Sequence, residues 1–244
     1  MKKLFLYICA VALAFQSHAQ KPQDSTFVMA VGLGDMAKVK TLLEKGADPN
    51  AMTGGATALM TASHYGYVEI AKLLIEKGAD VNAGTAGTAL MEASQNGQTE
   101  MVKLLIEKKA NVNAKDPDGY TALMWASVKG QAEIAKLLLD KNADVNASDN
   151  EGFTALMRAC SNGETETARL LIERNANINA KHSSGMTALI FASAKGQTAT
   201  VKLLIEKGAD VNIHANDDGT ALRWADYKGF TEIIKLLKTA GANE

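Results

Sequence analysis

Residues 121–148, TALMWASVKGQAEIAKLLLDKNADVNAS, hold the pattern that decides the fold. Thr121 can cap a helix N-terminus with its hydroxyl, and Gly130 suits the left-handed residue that ends a helix. Ile134 and Leu138, with a leucine between them at i+3, predict a second helix with one apolar stripe. The stretch therefore predicts a helix, a turn and a helix, and neither helix can bury its apolar face alone.

The same pattern recurs along the chain, which predicts a stack of similar units. The tripeptide Thr-Ala-Leu recurs with a spacing of 31 residues at first and 33 thereafter, and a glycine follows nine residues after each threonine. Stacked copies would bury one continuous core. We expect a short tail over 20–23 and a repeat domain over 24–244, with seven copies at approximately 24–51, 52–82, 83–115, 116–148, 149–181, 182–214 and 215–244.

The period of 33, the T-x-L-x-x-A start and the G-A-D-V-N-A end resemble the ankyrin repeat family. The resemblance implies an all-α ankyrin repeat solenoid of about seven helix-turn-helix repeats of ~33 residues, joined by β-turn or hairpin fingers. It also implies a protein-binding module that is not an enzyme. The chain departs from the family pattern T-P-L-H-x-A, because alanine replaces the proline and Met124 and its equivalents replace the histidine. We expect the turn-bracing hydrogen bonds of that histidine to be lost.

The first residues, MKKLFLYICAVALAFQSHAQ, predict an exported protein. Two lysines precede an apolar run, and the small residues Ser17 and Ala19 then occupy the two positions that signal peptidase reads, which is the pattern of a signal peptide over 1–19 that is removed. The alternative is a membrane anchor, but a spanning helix needs about 20 apolar residues and this run is shorter. We expect a periplasmic or secreted protein of bacterial type that does not enter a membrane after cleavage.

The charge and the scattered polar residues exclude several kinds of chemistry. With 26 basic and 27 acidic groups, the chain lacks the basic excess of a nucleic-acid binder. The histidines His64, His182 and His214 have no metal-ligand spacing, so we interpret them as solvated side chains and expect no metal and no cofactor. Cys160 fits a small buried packing role. The alternative is an enzyme with a site around Cys160 and His182 or His214.

The positions that vary between copies predict where a partner would bind. Aromatic residues, which dominate binding hot spots, are concentrated at these positions in the fourth to seventh copies. We expect a monomer that binds a protein or peptide in the concave groove and at the finger tips; a secreted effector acting on a host protein is an alternative role. The alternative for the aromatic residues is that they pack against one another and stiffen the stack. The candidate partner-binding residues are Tyr120, Trp125, Phe153, Arg158, Met186, Phe191, Trp224 and Tyr227.

Overall fold

A computed structural model describes residues 22–243, which form two compact units. Unit 1 extends to Asn111 and unit 2 begins at Val112. The predicted signal peptide, residues 1–19, lies outside the described residues. Within each unit the helices come in pairs, and we call the first helix of a pair the inner helix and the second the outer helix.

Unit 1 contains three helix pairs and one short hairpin. The two strands of the hairpin are antiparallel, with Met52 opposite Thr57 and Thr53 opposite Ala56. This is one of the fingers that the repeat pattern predicted. The elements are α1 (Pro22–Gly32), α2 (Met36–Glu44), β1 (Met52–Thr53), β2 (Ala56–Thr57), α3 (Ala58–Tyr65), α4 (Val68–Glu76), α5 (Ala89–Gln95) and α6 (Thr99–Glu107).

Unit 2 contains four helix pairs. An isolated antiparallel bridge joins Ser148 to Thr154 at the base of one finger. We define the fingers of this unit as residues 116–120, 149–153, 182–186 and 215–219. The elements are α7 (Ala122–Val128), α8 (Ala132–Asp140), α9 (Ala155–Asn162), α10 (Thr165–Glu173), α11 (Ala188–Ala194), α12 (Thr198–Glu206), α13 (Ala221–Lys228) and α14 (Thr231–Thr239).

The inner helices that follow a Thr-Ala-Leu tripeptide begin with the same cap. In α7 the backbone N–H of Met124 donates to Oγ1 of Thr121 at 3.3 Å, and in α9 Met157 donates to Thr154 at the same distance. Each cap satisfies a helix N–H that would otherwise lack a partner inside the protein. The predicted stop is confirmed as well, since Gly130 after α7 has φ 66°, in the left-handed region.

Small residues let neighbouring inner helices approach one another. Ala126 and Ser127 on α7 are fully buried, as are Ala159 and Cys160 at the matching positions of α9. The larger side chains of each copy, such as Leu123, fill the remaining space in the core. The family fold that the resemblance implied is therefore present in both units.

Asparagine side chains connect the loops of successive copies. In unit 2, Oδ1 of Asn113 accepts the backbone N–H of Asp144 at 2.8 Å, and its Nδ2 donates to the carbonyl of Asn142 at 3.2 Å. One copy further on, Asn146 makes the same two bonds to Asn177 and Asn175. These bonds satisfy backbone groups of the loop that ends each outer helix.

Among the described residues, no helix has the length and apolar character needed to cross a membrane.

Candidate functional site

Each copy of unit 2 offers two positions for a side chain on the finger side of its inner helix. The first is the fourth residue of the inner helix, and the second is the last residue of the finger, just before the capping threonine. The two positions lie five residues apart, so a finger side chain can cover the helix side chain that follows it. The helix positions hold Trp125, Arg158, Phe191 and Trp224, and the finger positions hold Tyr120, Phe153, Met186 and Gly219.

Asp149 organises the finger of the fifth copy. Its Oδ1 accepts the backbone N–H groups of Glu151 at 3.0 Å and Phe153 at 2.9 Å. This is the Asx-type turn that aspartate favours. Asp116 holds the previous finger in the same way, accepting from the backbone of Asp118 and Tyr120. One oxygen of the first carboxylate in each of these two fingers is therefore occupied by the turn itself.

The second oxygen of Asp149 holds Arg158 in place. Nη2 of Arg158 lies 2.6 Å from Oδ2 of Asp149, and the side chains are 19% and 1% exposed respectively. A charge-assisted bond of this length in a largely buried site is among the stronger polar contacts in a protein. The pair neutralises the guanidinium, so Arg158 presents a fixed, planar group and not a free positive charge.

Aromatic rings lie on both sides of that guanidinium. Cζ of Arg158 is 3.7 Å from the ring centre of Phe153 and 4.7 Å from that of Tyr120. Both distances allow cation–π attraction. The Tyr120 ring in turn stacks on Trp125, with ring centres 4.8 Å apart and planes at 29°. Burial raises the pKa of the Tyr120 hydroxyl above its usual range.

The contacts continue from Phe153 into the sixth copy. The Phe153 and Phe191 rings are 5.0 Å apart, and His182 lies 4.1 Å from Phe153 and 5.6 Å from Phe191. Nδ1 of His182 accepts the backbone N–H of Ser184 at 3.1 Å. The interpretation of His182 as a solvated residue is wrong, because this half-buried ring packs against two aromatic side chains that also contact each other. We call Tyr120, Trp125, Phe153, Arg158 and Phe191 the aromatic row.

The structure brings five of the eight candidate residues into this row and leaves the others apart. Trp224 and Tyr227 form a separate pair, with ring centres 6.2 Å apart and planes at 87°. Met186 is half-buried in the finger between them and the row. The row residues are half-buried and Tyr227 is 77% exposed. The aromatic residues therefore do pack against one another, and they also keep accessible surface.

Sequence reasoning missed two residues of this surface, Asp149 and His182. A signal was available in the nine-residue spacing between the first finger residue and the helix position. Asp149 and Arg158 are one such pair, and His182 and Phe191 are another. In the fourth copy, Nε1 of Trp125 donates to Oδ2 of Asp116 at 3.4 Å. The first finger residue thus contacts the helix position in the fourth, fifth and sixth copies.

The groups considered for catalysis do not form a reactive site. Cys160 is fully buried, and burial raises the pKa of its thiol well above the usual range. His214 is exposed, while Nδ1 of His64 lies 2.9 Å from Oε2 of Glu92 on the neighbouring inner helix. The interpretation of His64 as simply solvated is therefore wrong too. The described residues contain no group of three or more His, Cys, Asp or Glu side chains placed to hold a metal ion.

Capped helix pairs that recur with their fingers along the chain define a helical repeat protein. A family model of ankyrin repeats matches residues 6–85, 82–149, 146–215 and 180–244. The chain belongs to the ankyrin repeat family. Ankyrin repeats are in general protein–protein interaction modules and are typically not enzymes. A comparison with curated proteins finds no match.

Proposed function

We propose that this protein is a non-enzymatic module that binds a protein or peptide partner on the finger side of unit 2. The observation that supports this most directly is the aromatic row together with Trp224 and Tyr227. Large aromatic side chains and arginine are the residues that most often carry binding energy. Here they occupy positions that differ between copies, whereas the capping threonine and the alanine and leucine after it recur unchanged in the second to seventh copies.

The geometry of Arg158 supports a rigid binding surface. Asp149 and the two flanking rings hold the guanidinium in one place before any partner arrives. A side chain that is already fixed loses little conformational entropy on binding. A partner would therefore meet a preformed face of rings and one neutralised guanidinium.

We also propose that the protein is exported, and that signal peptidase cleaves after Ala19. The amino-terminal pattern of lysines, apolar residues and small residues supports this. N-terminal sequencing of the purified cellular protein should begin at Gln20. Fractionation of cells would then separate a periplasmic module from a secreted effector, and a full-length chain in the cytoplasm would contradict export.

Crosslinking in cells tests the binding function. A photoreactive phenylalanine analogue at position 227 would be compared with one at position 136, an exposed site on the outer helix α8. We expect a discrete partner to crosslink at position 227 and not at position 136. Identical crosslinked products from both positions would contradict the proposal.

Affinity for the partner so identified gives the second measurement. Trp125→Ala combined with Phe191→Ala should weaken binding at least about 30-fold, as expected for loss of a hot spot of 2 kcal/mol. The control is Leu139→Ala with Ile172→Ala, which removes half-buried apolar groups from outer helices. Equal affinities for the wild type and the Trp125/Phe191 variant would mean that the row only stiffens the stack.

A further inference from the structure

The last finger of unit 2 differs from the others at two positions that matter for Trp224. Gly219 stands where Tyr120, Phe153 and Met186 stand in the earlier copies, so no finger side chain covers the indole. Ala215 stands where the earlier fingers have Asp116, Asp149 and His182, so the first residue of this finger offers the indole N–H no side-chain acceptor. Nε1 of Trp224 is buried and has no hydrogen-bond partner among the described residues.

An open cleft of about 320 Å³ lies beside Trp224. Tyr227 forms a second wall, with its ring nearly perpendicular to the indole. The residues that line the cleft are Asp217, Gly219, Arg223, Trp224 and Tyr227. A ring that entered this cleft could meet the face of one aromatic residue and the edge of the other, the two arrangements that aromatic pairs prefer.

The fourth copy shows what occupies the equivalent space. Tyr120 lies five residues before Trp125 and stacks on its indole at 4.8 Å. Gly219 lies five residues before Trp224, and a Cβ at this glycine would be 2.6 Å from Nε1 of Trp224. The Trp224 indole thus occupies space that a side chain at position 219 would need, and the cleft lies beside this indole.

The charges around the cleft favour a neutral occupant. Arg223 is part of the lining, and Nζ of Lys228 lies 5.2 Å from the ring centre of Tyr227. Both disfavour a cationic side chain. The Asp217 carboxylate disfavours an anionic one, and its Oδ1 already accepts the backbone N–H of Gly219 at 3.0 Å.

We infer that this cleft is a socket for one neutral aromatic side chain of the partner, which stacks on Trp224 as Tyr120 stacks on Trp125. The inference rests on the proposed function, because it assigns an anchor residue to the partner of the same surface. The partner segment that crosses the seventh copy then contains a tyrosine, phenylalanine or tryptophan at the point of contact.

Nuclear magnetic resonance of the indole N–H groups tests the socket without a known partner. The chain has two tryptophans, so it gives two indole signals, and Trp125→Phe assigns them. N-acetyl-tyrosinamide would be the probe and N-acetyl-leucinamide the aliphatic control. We expect a saturable shift of the Trp224 signal with the tyrosine probe, a much smaller one with the leucine probe, and no saturable shift of Trp125.

Two matched variants make the result specific. Tyr120→Gly uncovers Trp125, and its indole signal should then respond to the tyrosine probe. Gly219→Tyr introduces a side chain where the Trp224 indole now lies, so the indole must shift and its response to the tyrosine probe should be lost. The inference is wrong if the tyrosine probe shifts the Trp125 signal in Tyr120→Gly but does not shift the Trp224 signal in the wild type. It is also wrong if the tyrosine and leucine probes shift the Trp224 signal equally.

The outcome separates this inference from the proposed function. A silent Trp224 together with weakened partner binding in the Trp125/Phe191 variant would remove the socket and keep the binding surface. A shift of the Trp224 signal together with unchanged partner affinity of the Trp125/Phe191 variant would support the socket and contradict the aromatic row as the binding site.

Discussion

The carboxylate of Asp149 and the guanidinium of Arg158 lie nine residues apart in the sequence and 2.6 Å apart in the structure. The same aspartate holds the backbone of its own finger through Oδ1. One buried carboxylate therefore shapes the finger and positions the charged centre of the aromatic row. Its removal affects both the stability and the surface of the fifth copy.

Asp149→Asn should lower the free energy of unfolding by about 3 kcal/mol, because it leaves a largely buried guanidinium without its anion. The amide oxygen of asparagine can still accept the backbone N–H groups of the finger. The loss of stability therefore measures mainly the missing ion pair with Arg158. The measurement is urea unfolding at neutral pH.

Asp116→Asn is the matched control for that variant. Asp116 holds its finger identically but meets only a neutral indole N–H at 3.4 Å. We expect this change to cost less than about 1 kcal/mol, the range for an ordinary hydrogen bond. Equal losses in the two variants would contradict the assigned role of the Asp149–Arg158 pair.

The same serine-to-alanine change should have opposite effects on the free energy of unfolding in two inner helices. Oγ of Ser127 donates to the carbonyl of Leu123 at 2.7 Å, whereas Oγ of Ser193 is buried without a partner among the described residues. Ser127→Ala should destabilise and Ser193→Ala should stabilise, each by about 1 kcal/mol, because an unpaired buried hydroxyl is costly. Thermal unfolding of both variants checks the sign, and a shared sign would count against this assignment.

Lys109→Gly should stabilise the protein. Lys109 is exposed and has φ 67°, in the left-handed region, where the corresponding residues Gly78 and Gly208 carry no strain. A side chain other than glycine costs about 1–2 kcal/mol there, and the greater freedom of glycine in the unfolded chain offsets part of that gain. We expect a net increase of about 0.5–1 kcal/mol in the free energy of unfolding.

Asn142→Gly provides the comparison, since Asn142 has φ 62° at the same position. Asparagine tolerates this conformation better than lysine does. The gain should therefore be smaller than for Lys109→Gly. A larger gain at Asn142, measured by chemical unfolding, would show that backbone strain is not the cause.

Cys160 should make stability depend on alkaline pH. Burial raises the pKa of its thiol in the folded protein above the ordinary value of 9.0. Above pH 9 the unfolded chain loses this proton and the folded chain keeps it, so the free energy of unfolding falls by at most about 1.4 kcal/mol per pH unit. Below pH 9 the contribution is fully present.

Cys160→Ser is the variant to compare, because serine occupies this position in other copies, as Ser94 and Ser127 do. Urea unfolding at pH 7 and pH 10 should show a smaller loss of stability for the variant than for the wild type. The folded wild-type thiol should also react far more slowly with a disulfide reagent than the thiol in urea. Rapid labelling of the native protein would instead support the alternative of an active site at Cys160.

The fold could be predicted almost completely from local signals. A threonine cap, an apolar stripe and a left-handed glycine each act within one copy. Their recurrence along the chain indicates that the copies stack. Thr121 and Gly130 behave as predicted because their bonds close within a few residues. The asparagine bonds between copies could not be predicted this way, because Asn113 reaches a loop 31 residues further along the chain.

The candidate surface could be predicted only in part. The structure connects Trp125, Arg158 and Phe191 through contacts with Tyr120 and Phe153, and the partner-binding role of these residues stays a prediction. The roles of Asp149 and His182 were not predicted, because the sequence of a finger indicates a solvated turn and does not show which side chains bury its residues. Burial of a carboxylate or an imidazole depends on neighbours that are distant in sequence.

The sequence by itself determined the repeat, the helix boundaries and the positions free to vary, since these depend on short-range hydrogen bonds and on periodic apolar residues. The tertiary structure alone decided which variable side chains meet. It joined Arg158 to Asp149, packed His182 against Phe153 and Phe191, and placed Trp224 beside an open cleft that Gly219 also lines. The physical reason is that stacking sets the distances between copies, and those distances determine burial, pairing and the open cleft.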